Sequence, residues 1–410
     1  MWAATGHPLV PIKHAYRVID QRAETVAEDL PLLSVSILRG VVPRRSMTDK
    51  ESRAEDLSRY KVCDTGDVII NRMSAFQGAI GIARQRGIVS PEYLVLRATR
   101  GTEPRFLSYL IRSGWFVSEM IQRLRGIGSP EQGSVRTPRI NPEDLGGIKV
   151  ALPAEGEQNA IADFLDRGTA RIDFLITAKR QMVELLAEAR TSRLERIIEE
   201  FGLQSTVQIG HTSIEIQTGP FGSQLHADEY VDGGWPVVNP QNLTDSGIVA
   251  IPRSTVATTT RDRLSRHALR QGDVVMARRG ELGRCAVVGS VEEGWLCGTG
   301  CLRLRVRAQD VAPAYLQLAL SSQRARYELK RFSVGSTIDN LNSLIVGRLA
   351  IPLPPPHVQQ TVVDDATKLN RSYRRAVASL ELQFALLAER RQALITAAVA
   401  GELQIPVVAD

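Results

Sequence analysis

From Glu155 to Glu200 the chain reads EGEQNAIADFLDRGTARIDFLITAKRQMVELLAEARTSRLERIIEE. Ile161, Phe164, Leu165, Ile172, Leu175, Ile176, Met182, Leu185, Leu186, Leu194, Ile197 and Ile198 recur there at helical spacing, which predicts one long amphipathic helix. At 1.5 Å per residue, about 40 residues make a rod of roughly 60 Å, the length of a spacer. Glu155 and Glu157 suit its start through the helix dipole, and Gly202 ends it. The pattern returns from Val358 to Val399, and LLAEARTSRL (Leu185–Leu194) aligns without a gap on LLAERRQALI (Leu386–Ile395), 201 residues later.

A repeat of that length in 410 residues divides the chain into two halves, each a globular region followed by a helix. GDVIIN (Gly66–Asn71) returns as GDVVMA (Gly272–Ala277), and Val150–Glu155 with Gln158 returns as Ile351–Pro356 with Gln359. The helical stretch FLSYLIRSGWFVSEMIQRL, with Phe106, Leu110, Trp115 and Met120 as core contacts, corresponds to YLQLALSSQRARYELKRF. Strands are predicted at Leu32–Leu38, Val68–Ile70, Ala79–Ala83, Tyr93–Leu96, Ile148–Leu152 and Trp235–Val238. The expected fold class is α+β: two mixed α/β domains at 1–148 and 203–348, with spacer helices at 149–202 and 349–410. The two helices would bury their stripes as an antiparallel coiled-coil pair, giving the chain an internal pseudo-two-fold.

Composition narrows the class. Hydrophobic residues make up 43% and charged residues 23%, and no apolar run approaches the roughly 20 residues that cross a bilayer. No signal-peptide pattern opens the chain, so a cytoplasmic, membrane-free protein is expected. The net charge of +6 suits a polyanion partner, and the basic clusters Arg44, Arg45, Lys50, Arg53, Arg278, Arg279, Arg284, Arg324, Arg326, Lys330 and Arg331 lie outside the long helices. Arg125, Arg136 and Arg139 add to them in a loop rich in Gly, Ser and Pro.

No catalytic constellation emerges. A GxxxxGKS phosphate loop is absent, and the nearest relatives of the adenine methyltransferase NPPY motif are NPED at Asn141 and NPQN at Asn239. Cys297 and Cys301 in CGTGC, with Cys285 nearby, have no second ligand pair, so buried apolar cysteines and no metal are expected. Chemistry suited to DNA is carried by Arg44, Arg45, Arg72 and Gln77 in the first half. The second half offers Ser223, Gln224, Gln241, Asn242, Arg278 and Arg279. Arg can read guanine and Gln or Asn adenine, while most such contacts go to phosphate. Gln241 and Asn242 serve equally as turn residues after Pro240. Two other readings remain open: a nuclease with a fused recognition region, and a protein-binding scaffold.

The runs LLSVS (Leu32–Ser36), NRMSAFQGAIGIA (Asn71–Ala83), SPEYLVLR (Ser90–Arg97), GPFGSQL (Gly219–Leu225), GSTIDNLN (Gly335–Asn342) and IPLPPPHVQQ (Ile351–Gln360) resemble those of the DNA specificity subunits of type I restriction-modification systems. The resemblance spans nearly the whole chain. It implies a non-catalytic subunit with two target recognition domains, each reading half of a bipartite, asymmetric duplex site. It also implies helices that dock methyltransferase (modification) subunits acting on adenine, and a restriction/translocase subunit that joins them. S-adenosylmethionine, ATP and Mg would then sit only on those partners. The loop Pro130–Pro138 departs from the pattern, lacking the STIDNL of the second half.

Overall fold

The computed structural model describes residues 7–37, 39–47, 56–124, 139–202, 206–221, 224–244, 247–333 and 341–406. The chain divides into two compact units, Met1–Arg180 with Leu380–Asp410, and Gln181–Ser379.

In the first unit, β1 (Leu9–Pro11) precedes β2 (Tyr16–Ile19), the hairpin β3 (Leu33–Ser36) and β4 (Gly40–Pro43), and β5 (Lys61–Cys63). β6 (Val68–Asn71), β7 (Ile80–Ile82), β8 (Gly87–Val89) and β9 (Tyr93–Ala98) follow. An antiparallel sheet has the order β2-β9-β6-β7. Its central strands are apolar and buried over Val68–Ile70 and Leu94–Leu96, where both faces are covered. Val68 and Ile70 pack toward the helices, while Ile69 and Val95 pack against Leu33, Val35 and Val41. α1 (Pro104–Arg112) begins with Pro at its first position and the Glu103 carboxylate on Arg105 N–H. The helical pattern does not run on: Ser113 breaks it and caps α2 (Gly114–Gln122). Its hydroxyl donates to Leu110 C=O at 2.8 Å and accepts Phe116 N–H at 3.3 Å. α3 (Pro142–Gly146) leads to β10 (Lys149–Ala151), which pairs with β1.

α4 (Glu155–Gly202) then starts under the control of one buried amide. Gln158 accepts Glu103 N–H at 2.9 Å and donates to Gly101 C=O at 3.1 Å and Pro153 C=O at 2.8 Å. With every polar atom satisfied, such a side chain fixes the angle at which the helix leaves its domain.

The second unit repeats the plan. β11 (Thr206–Gln208) and β12 (Glu215–Thr218) precede the long β13 (Tyr230–Val238), then β14 (Leu243–Thr244), β15 (Gly247–Ile248), β16 (Thr255–Val256) and the short α5 (Thr258–Arg263). β17 (Val274–Ala277), β18 (Cys285–Val287), β19 (Leu296–Cys297) and β20 (Cys301–Arg305) complete the strands of this stretch. The sheet order β12-β20-β17-β18 matches that of the first unit. α6 (Pro313–Ser321) and α7 (Gln323–Ser333) are broken by Ser322 as α1 and α2 are by Ser113. α8 (Ser343–Arg348) and β21 (Ala350–Pro352), paired with β11, lead into α9 (Pro356–Val399). Gln359 repeats Gln158, accepting Ala312 N–H at 2.8 Å and donating to Asp310 and Pro354 C=O. The architecture is the α+β internal repeat that the sequence predicts.

Within each unit the two long helices pair. In the first, Asp173 accepts Arg391 Nε at 2.9 Å and Gln383 accepts Lys179 Nζ at 2.5 Å, an antiparallel register. In the second, Arg190 donates to Asn370 at 2.6 Å and lies 5.2 Å from the Tyr373 ring. A helix with one neighbour covers only one stripe. Ile161, Leu165, Ile172, Ile197 and Ile198 are buried, but Phe174 is 71% exposed, Met182 53% and Leu185 63%. The sequence places Met182 and Leu185 in the same apolar pattern and does not separate them from the buried set.

Candidate nucleic-acid interface

Two of the arginines with DNA-suited chemistry occupy the same place in the repeat, and both are structural. Arg72, at the end of β6, donates through Nε to Ile140 C=O at 3.0 Å and through Nη2 to Asn141 Oδ1 at 3.1 Å. Arg278, at the end of β17, donates through Nε to Leu341 C=O at 2.6 Å, and Leu341 N–H returns a bond to Arg278 C=O at 3.0 Å. Each guanidinium thereby clamps the chain that follows residues 125–138 or 334–340. Arg278 is 5% exposed, and burial, then the neighbouring Arg279, lowers its pKa. The expectation that it reads DNA meets a physical obstacle, since its fork is already committed to backbone carbonyls. Arg279 is exposed, immediately before Gly280.

Arg44 and Arg45 form a short 3-10 turn after β4, with Arg45 exposed and the Arg44 Nε buried without a partner. Gln77 is exposed on the turn between β6 and β7, which Gly78 closes with φ of +87°. The hairpin tip lies beside this turn, because a Cβ on Gly78 would sit 4.0 Å from Ile37 Cγ2. Arg44 and Arg45 stand at the other end of that hairpin, where Arg44 N–H donates to Leu32 C=O at 2.9 Å, so they and Gln77 occupy separate turns.

In the second unit Asn242 is a turn residue. It is buried, accepts Asn239 N–H at 2.9 Å and donates to Val249 C=O at 2.8 Å. Gln241 beside it is exposed, and Gln224 is half-buried with its Oε1 on Phe221 N–H at 3.2 Å. Ser223, Arg125, Arg136, Lys50, Arg53 and most of the GSTIDNLN run lie outside the described residues.

The CGTGC stretch explains how Gln241 and Arg279 share one end of the sheet. A Cβ on Gly298 would lie 2.4 Å from Asn239 Oδ1, and one on Gly300 2.6 Å from Pro240 Cδ, so only glycine lets these turns meet. Gly300 C=O accepts Arg278 N–H at 2.9 Å in the same corner. The cysteines are packing residues: all are buried, and burial pushes Cys285 up to about 11 and Cys297 up to about 12. Part of the basic cluster is neutralised locally, since Glu281 accepts both Arg326, at 3.0 Å, and Arg284.

One group was not legible at all. Arg266, Arg270, Arg303 and Arg305, scattered over 40 positions, line a cavity of about 370 Å³ at the β12 edge of the second sheet. Strand alternation on β20 could have paired Arg303 with Arg305; nothing in the sequence brings the other two beside them. Next to the cavity, His267 is buried and accepts Arg266 Nε at 3.0 Å. Burial, then Arg266 and Arg303, pushes it from 6.5 down to about 4. Between those values the unfolded chain binds a proton that the folded unit does not. The second unit is therefore expected to keep its full stability above pH 6.5 and lose it as pH falls toward about 4. Urea midpoints across that window should show a slope that His267→Gln flattens; an unaltered slope would mean the imidazole is already charged when folded.

Residues 214–372 match the family model of the type I restriction modification DNA specificity domain. A solved chain from work on complex assembly and conformational transition of the type I restriction-modification system is similar in fold. Its TM-score is 0.63 at 19% identity, covering 97% of this chain and 98% of that one. An HsdS subunit from Thermoanaerobacter tengcongensis is 18% identical over 98% of both chains, with a TM-score of 0.49. A type I S subunit from M. genitalium is 15% identical over 97% of this chain and 98% of that one, with a TM-score of 0.38. No curated protein matches.

Proposed function

We infer that this chain, which belongs to the family of type I restriction-modification DNA specificity subunits, is a non-catalytic reader of a bipartite, asymmetric duplex site. Sequence-specific DNA recognition is the family's role. The finer reading rests on one observation above all: the repeat keeps its structural joints and changes its surfaces. Asp67 with Arg97, Gln158 and Ser113 in the first unit are matched by Asp273 with Arg305, Gln359 and Ser322 in the second. Among the described residues, the stretches between β2 and β5 and between β12 and β17 differ in strand number and pairing, as two readers of unlike half-sites would.

The recognition domains are assigned to 1–148 and 203–348, and the helices to spacing them and to carrying partners. Exposed Phe174, Leu175, Leu382 and Leu386 in the first unit, and Met182 and Leu185 in the second, supply apolar surface for other helices. Those partners are methyltransferase subunits that modify adenine and a restriction/translocase subunit, with S-adenosylmethionine, ATP and Mg held by them. No helix among the described residues is long and apolar enough to cross a membrane, which accords with action on cytoplasmic DNA.

The test is methylation mapping of genomic DNA in cells expressing this chain with its cognate methyltransferase, against cells lacking it. A new, interrupted, asymmetric adenine motif is expected. Absence of any new motif, together with no salt-dependent binding to duplex DNA, would favour a scaffold and sink the reading. Metal-dependent cleavage by the isolated chain would do the same in favour of a nuclease.

A further inference from the structure

Most of the residues that line the arginine cavity of the second unit differ from those at the same places in the first, although the sheet that carries them is repeated. In both sheets a buried aspartate holds an arginine of the neighbouring strand: Asp67 takes Arg97, and Asp273 takes Arg305. Around that shared anchor the side chains change. Arg270, whose N–H donates to Asp273, stands where the first unit has Asp64, whose N–H donates to Asp67. The ladder register sets Arg303 opposite Gln217 where the first unit sets Val95 opposite Ile19. In the first unit this place is filled differently, with Val95 fully buried beside Ile19 and Asp64 bound to Arg97 at 2.6 Å. The second unit puts arginines where the first has Val95 and Asp64, and a glutamate, Glu215, where the first has Arg17.

The arginine-lined place is built. Arg303 is 3% exposed, and its guanidinium is held by Arg266 C=O at 3.1 Å, Ala268 C=O at 3.3 Å and Glu215 at 2.7 Å, with Nε left unpartnered. Arg305 is fixed by Asp273. These two are a rigid positive floor, kept in place whether or not anything binds. Above them Arg266 and Arg270 are exposed; Arg266 makes one bond, to His267, and Arg270 none from its side chain among the described residues. Four guanidiniums meet two carboxylates, Glu215 and Asp273, leaving two positive charges around about 370 Å³.

We propose that this cavity is a phosphate site, taking one phosphoryl group between Arg266 and Arg270 over the Arg303 and Arg305 floor, with the Ser265 hydroxyl and Gln217 amide as neutral donors. Guanidinium forks suit the paired oxygens of phosphate, and partial burial raises the value of each charge-assisted bond. The phosphate comes either from the backbone of bound duplex DNA or from free phosphate. The first source rests on the function proposed above; the chemistry of the site does not.

The full-length protein is tested in two arms. In the first, inorganic phosphate is titrated against chloride at matched ionic strength, by calorimetry and thermal shift. The wild type should bind phosphate, the Arg266→Ala/Arg270→Ala variant roughly tenfold or more weakly, the loss of about 1.4 kcal/mol that one charge-assisted bond supplies. Glu215→Gln, which keeps the acceptor to Arg303 and removes the facing charge, should bind it several-fold more tightly. In the second arm, log K for duplex DNA is plotted against log salt, and the double variant should lose roughly 0.9 from the slope, one phosphate contact, with its methylation motif unchanged. Changes in both arms assign the phosphate to the DNA backbone. A change in the phosphate arm with an unchanged slope assigns it to free phosphate. If wild type and double variant behave alike in both arms, the proposal is overturned. A wild type that ignores DNA altogether would defeat the proposed function while the phosphate arm still decides the cavity.

Discussion

Replacing Arg278 with glutamate is expected to unfold the second unit, whereas the same change at Arg279 leaves the fold intact and weakens DNA binding. Neighbours in sequence, the two differ in what surrounds them. Arg278 donates from a 5% exposed position to Leu341 and Thr299 carbonyls, so a carboxylate there would face acceptors with nothing to donate. Breaking a buried charged contact of this kind costs roughly 3–5 kcal/mol, against a total stability of about 5–15 kcal/mol. Arg279 is exposed, where substitutions usually stay within about 0.5 kcal/mol. Its loss should lower affinity for duplex DNA most at low salt and reduce the salt slope by roughly 0.9 to 1.8, as a phosphate-facing positive charge becomes negative. Thermal unfolding and hydrogen exchange across β17 would measure the first effect, and binding isotherms at several salt concentrations the second. An unchanged melting temperature for Arg278→Glu would refute the clamp, and unchanged binding by Arg279→Glu would remove that residue from the interface.

The contrast also shows what the sequence could and could not convey. The long helices, several of the core strands and the internal repeat were legible because each rests on a period, and periods survive in a string of letters. The buried set was legible where both faces of a strand are covered, as in Val68, Ile69 and Ile70. The site was harder, because an arginine's letter is the same whether its fork holds a backbone carbonyl or a phosphate. Arg72 and Arg278 illustrate this: the repeat that makes them structural was visible, but the partners, Ile140 and Leu341, lie 68 and 63 positions away. Asn242 followed its plainer reading as a turn residue, consistent with its place after Pro240. Exposure of Met182 and Leu185 was not separable from burial by pattern alone, since a helical stripe does not state how many neighbours will cover it. The arginine cavity depends on ladder register and on a turn folding over a strand edge, neither of which leaves a local mark.

The same repeat yields the second large expected effect, and here the two halves should differ. Asp67 and Asp273 are each 2% exposed, and each accepts two guanidinium bonds and one backbone N–H. Replacement by asparagine turns an acceptor of the guanidinium into a group that must offer it N–H or leave it short of a bond, a loss of roughly 1.5–3 kcal/mol for a buried carboxylate with a partly exposed arginine. In the first unit Arg97 keeps a second carboxylate, Asp64, at 2.6 Å. In the second, the position of Asp64 is held by Arg270, and the Glu215 carboxylate across the ladder is engaged with Arg303. Arg305 would then rely on Glu215, a carboxylate already bonded to Arg303. Asp273→Asn is therefore expected to destabilise its unit more than Asp67→Asn, and to speed exchange in β17 and β20 as the latter does in β6 and β9. Asp64→Asn combined with Asp67→Asn should close the gap, because it removes the carboxylate that spares the first unit. Equal costs for the two single changes would mean that Asp64 contributes nothing to holding Arg97, and that the charge reversal at this position has no bearing on stability.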